Sequence, residues 1–296
     1  MASKLNVKQS ETAAGYLFIA PIYILYIIFV LIPVLVMFYL SFTQYDILSP
    51  AKLVLLDNFI EMFKDKRFYT VLGNTFYFTI ISVTLNVGIG LMLAVALNRK
   101  INQSLRNIYR LAYFFPVIIS SVYISVIWAY LFSTDTGIIN YYLGLIGIKP
   151  VSWFTSSKMA MLSIILMDVW KNTGFAMVVF LAGLQNIPRE YYEASQIDGA
   201  NRIQTFLKIT FPCLSPVVFF NVITFSIGAL QVFDSTKIIT DGGPGDATRS
   251  MVMYIYEHGF RNFNMGYASS VSVVFVLIIV ILTFIQFVFS KRWVHY

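Results

Sequence analysis

Six long apolar runs set the hydropathy pattern of the chain: Tyr16 to Ser41, Val71 to Leu97, Leu111 to Phe132, Met159 to Leu184, Cys213 to Phe233 and Gly266 to Ser290. A hydrocarbon core of about 30 Å takes roughly 20 residues of helix to cross, and helix pairs every backbone amide on the way. The pattern therefore predicts an all-α polytopic membrane protein with six transmembrane helices in one domain, residues 16–290. Six crossings place both termini on one side, with residues 1–15 and 291–296 as tails. The first run is too long for a signal peptide, and no small-residue cleavage site follows before Ser41-Phe42-Thr43-Gln44, so it reads as a retained anchor. Pro21 and Pro33 inside it are compatible with a membrane helix.

Three connecting segments, 42–70, 133–158 and 234–265, are too short to fold as domains of their own. In the first, Phe59, Ile60, Met62 and Phe63 alternate with Asp57, Glu61, Lys64 and Asp65, which predicts a short helix lying at the membrane interface. Residues 188–212 are longer than a connector needs. Pro188, then Glu190 and Glu193, and finally Gly199 mark the start, the first turns and the stop of one helix. Ile203, Phe206, Leu207 and Thr210 then form a second helical stripe that ends where Pro212 turns the chain into the next span.

Composition narrows the class. Apolar residues make up 58% of the 296 and charged residues 12%, against roughly 45–50% and about 25% in soluble domains. A formal charge of +7 would suggest nucleic acid in a soluble chain, but here the cations sit between apolar runs and report topology instead. Eleven Lys and Arg lie on the side of the termini and nine on the other. The cluster Arg99, Lys100, Arg106 and Arg110, between two spans, fixes that side as cytoplasmic. The lone cysteine, Cys213, removes disulfide frameworks and Cys-rich metal sites. His258 and His295 fall in a loop and near the end of the chain and read as surface residues, so the sequence offers neither catalytic nor metal residues.

Glu193-Ala194-Ser195, three residues, Gly199, nine residues, then Ile209-Thr210-Phe211-Pro212 resembles the EAA loop of permease subunits of binding-protein-dependent ABC importers. Ser195 and Phe211 stand where that pattern has Ala and Leu. The likeness extends to the sugar-type, maltose- and glycerol-phosphate-permease-like branch through Asp241-Gly242-Gly243-Pro244 with Thr240 and Thr248, Ala20-Pro21, Ser41-Phe42 and Leu56-Asp57-Asn58-Phe59. Read from the residues alone, Gly242-Gly243-Pro244 is equally a tight turn.

The resemblance implies that 188–212 is a cytoplasmic coupling loop, with Glu193, Ala194, Ser195, Gly199 and Ala200 meeting an ATPase. It implies a second homologous permease, two ABC ATPase subunits and an extracytoplasmic binding protein contacting Asp241, Gly242, Gly243 and Pro244. It also implies a sugar substrate, a bacterial cytoplasmic membrane and no nucleic acid. ATP and Mg would belong to the ATPase, since the chain carries no Gly-x-x-x-x-Gly-Lys-Ser/Thr loop to cradle phosphates.

Polar groups at membrane depth mark a substrate path. Asp168, Lys171, Asn172 and Phe175 share one helical face, although Asp168 and Lys171 could equally neutralise each other. The family resemblance places the sugar site here and gives Trp170 a part in it. Asn221, Thr224, Gly228 and Gln231 share a face of the fifth run, where small residues also suit helix packing, and Gln231 and Phe233 are expected to face substrate. Ser82, Asn86 and Gly90 form a stripe expected to pack against neighbours. The competing class is a self-sufficient secondary transporter or channel using Asp168 and Lys171 for ion coupling; an intramembrane enzyme or scaffold is opposed by the missing catalytic constellation.

Overall fold

The computed structural model describes residues 7–99 and 101–295. It is helical almost throughout: α1 (Val7–Tyr26), α2 (Ile32–Ser41), α3 (Asp57–Lys64), α4 (Lys66–Leu97), α5 (Gln103–Ile118), α6 (Ser121–Leu131), α7 (Ile138–Leu145), α8 (Ala160–Gln185), α9 (Arg189–Ile197), α10 (Arg202–Thr205), α11 (Phe211–Leu230), α12 (Asp234–Thr240), α13 (Met251–Tyr256) and α14 (Met265–Ser290). One two-residue antiparallel ladder pairs Thr43 with Leu53 and Gln44 with Lys52. Among the described residues five helices are long and apolar enough to cross a bilayer, six if a bent pair counts as one span. The chain forms two compact units.

The first unit holds the described residues through Lys64 together with Ile255–Phe275. Helix runs from Val7, so the segment expected as an N-terminal tail is helical up to the first span; residues 1–6 lie outside the described part. A π-turn, Ile27–Leu31, joins α1 to α2. Asn58 donates to the carbonyls of Ser41 and Thr43 at 3.0 and 2.9 Å, and Met265 N–H donates to Tyr45 O at 2.9 Å. A Cβ on Gly266 would stand 2.0 Å from Thr43 O, so only glycine permits that approach. His258 packs its ring on Tyr267 at 4.7 Å.

The second unit holds Asp65–Tyr254 and Val276 onward. Here α4 and α8 run against each other, and their apolar faces bury Ala94, Leu97, Ala176, Met177, Phe180 and Leu181 together with Leu214 of α11. Gly90 makes the approach possible, because a Cβ there would lie 2.5 Å from Ala176 Cβ. At the end of the chain Trp293 sets its ring edge-on to Phe219, and His295 N–H donates to Ser215 Oγ.

Three expectations are corrected. The third span is not one helix over 111–132: α5 begins at Gln103, inside the expected connecting loop, and meets α6 at 98°. Pro116 lacks an amide donor and crowds the preceding turn, and Ile119 and Ser120 then take extended ψ values of 138° and 135°. The fifth span starts at Arg202 and ends at Leu230, so Pro212 does not turn the chain. A π-turn over Phe206–Thr210 lets Phe211 N–H reach Phe206 O, and Pro212 follows immediately, so the donor it lacks falls beside this irregularity inside one continuous helix. That π-turn also splits the expected apolar stripe: Thr210 is buried, while Ile203 and Leu207 are exposed.

Candidate functional site

A cavity of about 420 Å³ lies within the second unit, framed by α4, the α5–α6 bend, α8, α11 and residues 231–235. From α8 it receives Asp168, Lys171, Asn172 and Phe175 on one face, as their spacing predicts. Thr224 and Gly228 of α11 line it, followed by Gln231 and Phe233, which lie beyond the end of that helix. Asn221 is buried and donates to Val217 O at 2.9 Å, so it belongs to the packing of α11. Phe175 and Phe225 meet edge to face at 6.1 Å in the wall.

Asp168 and Lys171 do not neutralise each other by direct pairing. The carboxylate takes its donors from elsewhere: Ser82 Oγ and Asn86 Nδ2 on Oδ2, the latter at 3.1 Å, and Asn172 Nδ2 on Oδ1 at 2.8 Å. Asn86 is itself held by Ser82 O at 3.0 Å and accepts from Thr173 Oγ1 at 3.1 Å. The Ser82, Asn86 and Gly90 stripe thus packs against α8, as expected, and also supplies the site. Helix spacing revealed that stripe, but not that its amide and hydroxyl would reach the carboxylate.

Trp170 stands apart from this cavity. Its ring lies 5.6 Å from Trp128, Trp128 stacks on Phe132 at 4.7 Å, and Phe132 meets Trp153 at 5.1 Å. The physical reason is the helical period: Trp170 lies about 100° from Lys171 and so faces away from the residues that line the cavity.

The 188–212 segment folds as helix, turn and helix. Pro188 precedes α9, and Gly199 closes it with φ +72°, a left-handed conformation that disfavours a Cβ. Asn201 and Gln204 form a capping box on α10. Glu193, Ala194 and Gly199 are exposed, while Ser195 is buried and bonds Tyr192 O at 2.8 Å and Thr205 Oγ1 at 3.3 Å. Ile197, Ile203 and Leu207 are exposed around the tip. Concavities of about 700 and 870 Å³ flank the two helices.

Asp241 to Pro244 form a turn. Asp241 takes φ +49° and pairs with Lys237, and Thr248 Oγ1 donates to Gly243 O at 2.8 Å. The turn leads to Asp246, which accepts from Arg67 Nε and Nη2 at 2.7 and 3.0 Å and pairs with Arg249. Hydrogen bonding by the Arg67 guanidinium above all, with Arg249 assisting, lowers the Asp246 carboxyl to about 2. Asn74 caps the same loop, donating to Asp246 O at 2.6 Å. Sequence reading passed over this clasp because its partners lie 179 residues apart.

Membrane-length helices around a cavity of mixed polar and apolar lining, with a helix–turn–helix segment between α8 and α11, are the architecture of a polytopic transport subunit. Residues 86–295 match the family described as "Binding-protein-dependent transport system inner membrane component", and the chain belongs to it. It is 40% identical over 293 residues to the probable ABC transporter permease protein YesP of Bacillus subtilis (strain 168), covering 97% of this chain and 94% of the relative. It is 36% identical to the lactose transport system permease protein LacF of Rhizobium radiobacter, covering 98% of each. With the arabinooligosaccharides transport system permease protein AraP of Bacillus subtilis (strain 168) it shares 32% identity over 94% of this chain and 88% of that one. A crystal structure of a bacterial ABC transporter that imports the acidic polysaccharide alginate superposes with a TM-score of 0.86 over 96% of each chain. At 23% identity that match shows the fold alone.

Proposed function

We propose that this chain is the permease subunit of an ATP-driven importer that carries a sugar or oligosaccharide by alternating access. The observation that carries the reading is the cavity at α8. Asp168, Asn172 and Gln231 offer acceptors and donors for hydroxyl groups, and Phe175, Phe225 and Phe233 offer apolar faces for sugar C–H surfaces. Relatives named for lactose and arabinooligosaccharides support the substrate class.

In this reading the termini and the 188–212 loop face the cytoplasm, consistent with the cations at 99–110. The loop docks on an ATPase through Glu193, Ala194, Gly199 and Ala200, with Ser195 holding its two helices together from beneath. The exposed Ile197, Ile203 and Leu207 give that contact an apolar surface. Closure of two ATPase subunits, which hold the ATP and Mg, is transmitted through the continuous α10–α11 helix to the cavity wall. This chain itself binds no cofactor. A second, homologous permease completes the path, and a binding protein delivers substrate to the outer loops, including Asp241, Gly242, Gly243 and Pro244.

Gly199→Asp tests the coupling role. A Cβ at Gly199 meets nothing within 4 Å, and Asp enters the left-handed region at a cost of about 1 kcal/mol, less than most residues, a strain that the loop is expected to bear without unfolding. The new carboxylate then stands at the docking face. The complex is expected to assemble while uptake and transport-linked ATP hydrolysis fall at least tenfold. Undiminished uptake would overturn the mechanism.

A further inference from the structure

The α10–α11 helix, which the reading above makes the transmission element, is weakest where it leaves the 188–212 loop. The π-turn Phe206–Thr210 runs into Pro212, and Pro216 follows one turn later. Pro216 has no N–H to give to Pro212 O, the carbonyl four residues back, and helices bend at such places. A buried carbonyl left without a donor is costly. Here a side chain makes the repair: Ser215 Oγ, on a residue only 1% exposed, donates to Pro212 O at 2.6 Å.

That hydroxyl is itself held from outside the helix. Its oxygen accepts from His295 N–H at 2.9 Å, 80 residues along the chain. Trp293 N–H and Val294 N–H both donate to Ser290 O, at 3.1 and 2.8 Å, which turns the chain at the end of α14. Trp293 sets its ring edge-on to Phe219 at 6.1 Å, one helical turn beyond Ser215, and packs on the buried cluster that contains Leu214 and Val218 of α11. The segment after α14 thus grips α11 at two successive turns, beside the two prolines. Further along, the same helix places Thr224 and Gly228 in the cavity wall.

We infer that residues 290–295 are a strap that stiffens the proline-interrupted part of α11, so that movement of the 188–212 loop reaches the cavity wall and is not lost in bending. This inference rests on the importer reading above and deepens it. Ser215, Trp293 and the main chain of His295 are positioning residues for coupling: they touch neither sugar nor ATP and act through α11.

The test uses the assembled permease–ATPase complex and three variants. His295→Pro removes the donor to Ser215, His295→Ala keeps it and changes only an exposed side chain, and Trp293→Ala removes the second grip. Pulsed EPR between spin labels at Lys208→Cys and Phe220→Cys, both exposed and on either side of the prolines, reads bending in a Cys213→Ser background. The distance distribution is expected to be at least twice as wide in His295→Pro and Trp293→Ala as in wild type and His295→Ala. In label-free proteoliposomes with the binding protein and radioactive lactose or arabinotriose, ATP hydrolysed per sugar imported should rise at least threefold in the same two variants. A role in folding alone would lower uptake and hydrolysis together and leave that ratio unmoved. An unchanged width or an unchanged ratio in both variants, or a rise in His295→Ala equal to that in His295→Pro, overturns the strap and leaves the importer reading standing. A wild type that imports neither sugar, and whose hydrolysis ignores the binding protein, overturns the importer reading and the strap's part in coupling with it.

Discussion

Gly90→Ala is the sharpest probe of how the site is assembled. The added Cβ would stand 2.5 Å from Ala176 Cβ, 3.1 Å from Met177 N and 3.2 Å from Ala176 C. Carbon atoms prefer about 3.5–4.0 Å, so α4 and α8 must part by about 1 Å. Overpacking of this kind costs about 1–3 kcal/mol, and the helix preference of Ala over Gly returns up to about 1 kcal/mol. A net loss of about 1–2 kcal/mol is expected.

The same displacement would stretch the 3.1 Å bond from Asn86, one turn away on α4, to Asp168 beyond hydrogen-bonding range. Substrate affinity should therefore fall together with stability. Gly88→Ala is the control: it lies on the same helix with nothing within 4 Å of its Cβ, and it should keep substrate affinity and gain up to about 1 kcal/mol from the helix preference of Ala. Exchanging the pair, Gly90→Ala with Ala176→Gly, removes the 2.5 Å clash and leaves only the two backbone contacts near 3.1 Å. Most of the lost stability should return. Thermal unfolding of the purified complex and substrate titration read both effects. A single variant as stable as wild type, or an exchange no better than the single variant, would refute the reasoning.

Gly174→Ala meets backbone instead of a side chain, since its Cβ would fall 1.9 Å from Tyr113 O. No compensating truncation exists, so the folded complex should accumulate less than with Gly90→Ala in quantitative immunoblots. Trp170→Ala should lower the melting temperature through loss of the Trp128 contact, worth about 0.5–1.5 kcal/mol, and leave substrate affinity within about twofold; a tenfold affinity loss at unchanged melting would return Trp170 to the substrate path. Asp246→Asn removes an acceptor whose native carboxyl titrates at about 2, against 3.8 ordinarily. Because the folded value is depressed, its stabilisation is complete above the ordinary value and fades as pH falls from about 4 toward 2. Partial exposure holds it below about 1 kcal/mol, and the melting difference from wild type should narrow only in that acidic window.

Much of this was legible in the chain because each signal was local. Apolar runs of membrane length, the Glu193-to-Pro212 spacing, and the shared face of Asp168, Lys171 and Asn172 each lie within about 30 consecutive residues or fewer. The broken third span was harder to see, since α5 and α6 are both apolar and hydropathy runs through Ile119 and Ser120. Pro116, followed by a Ser-Ser pair, was the available mark of the break. Gln231 and Phe233 were placed on a helix that in fact stops at Leu230, yet they reach the cavity from the segment beyond it.

By itself, then, the sequence determined that this is an all-α membrane protein and which loop resembles a coupling element, because burial in lipid and helical period act residue by residue. Tertiary structure alone decided that Asp168 is held by Ser82 and Asn86 of α4 and not by Lys171 one turn away, and that Asp246 clasps Arg67. Those outcomes depend on how closely α4 and α8 approach at Gly90 and on how the loop carrying Asp246 meets the start of α4, and no local pattern encodes either distance.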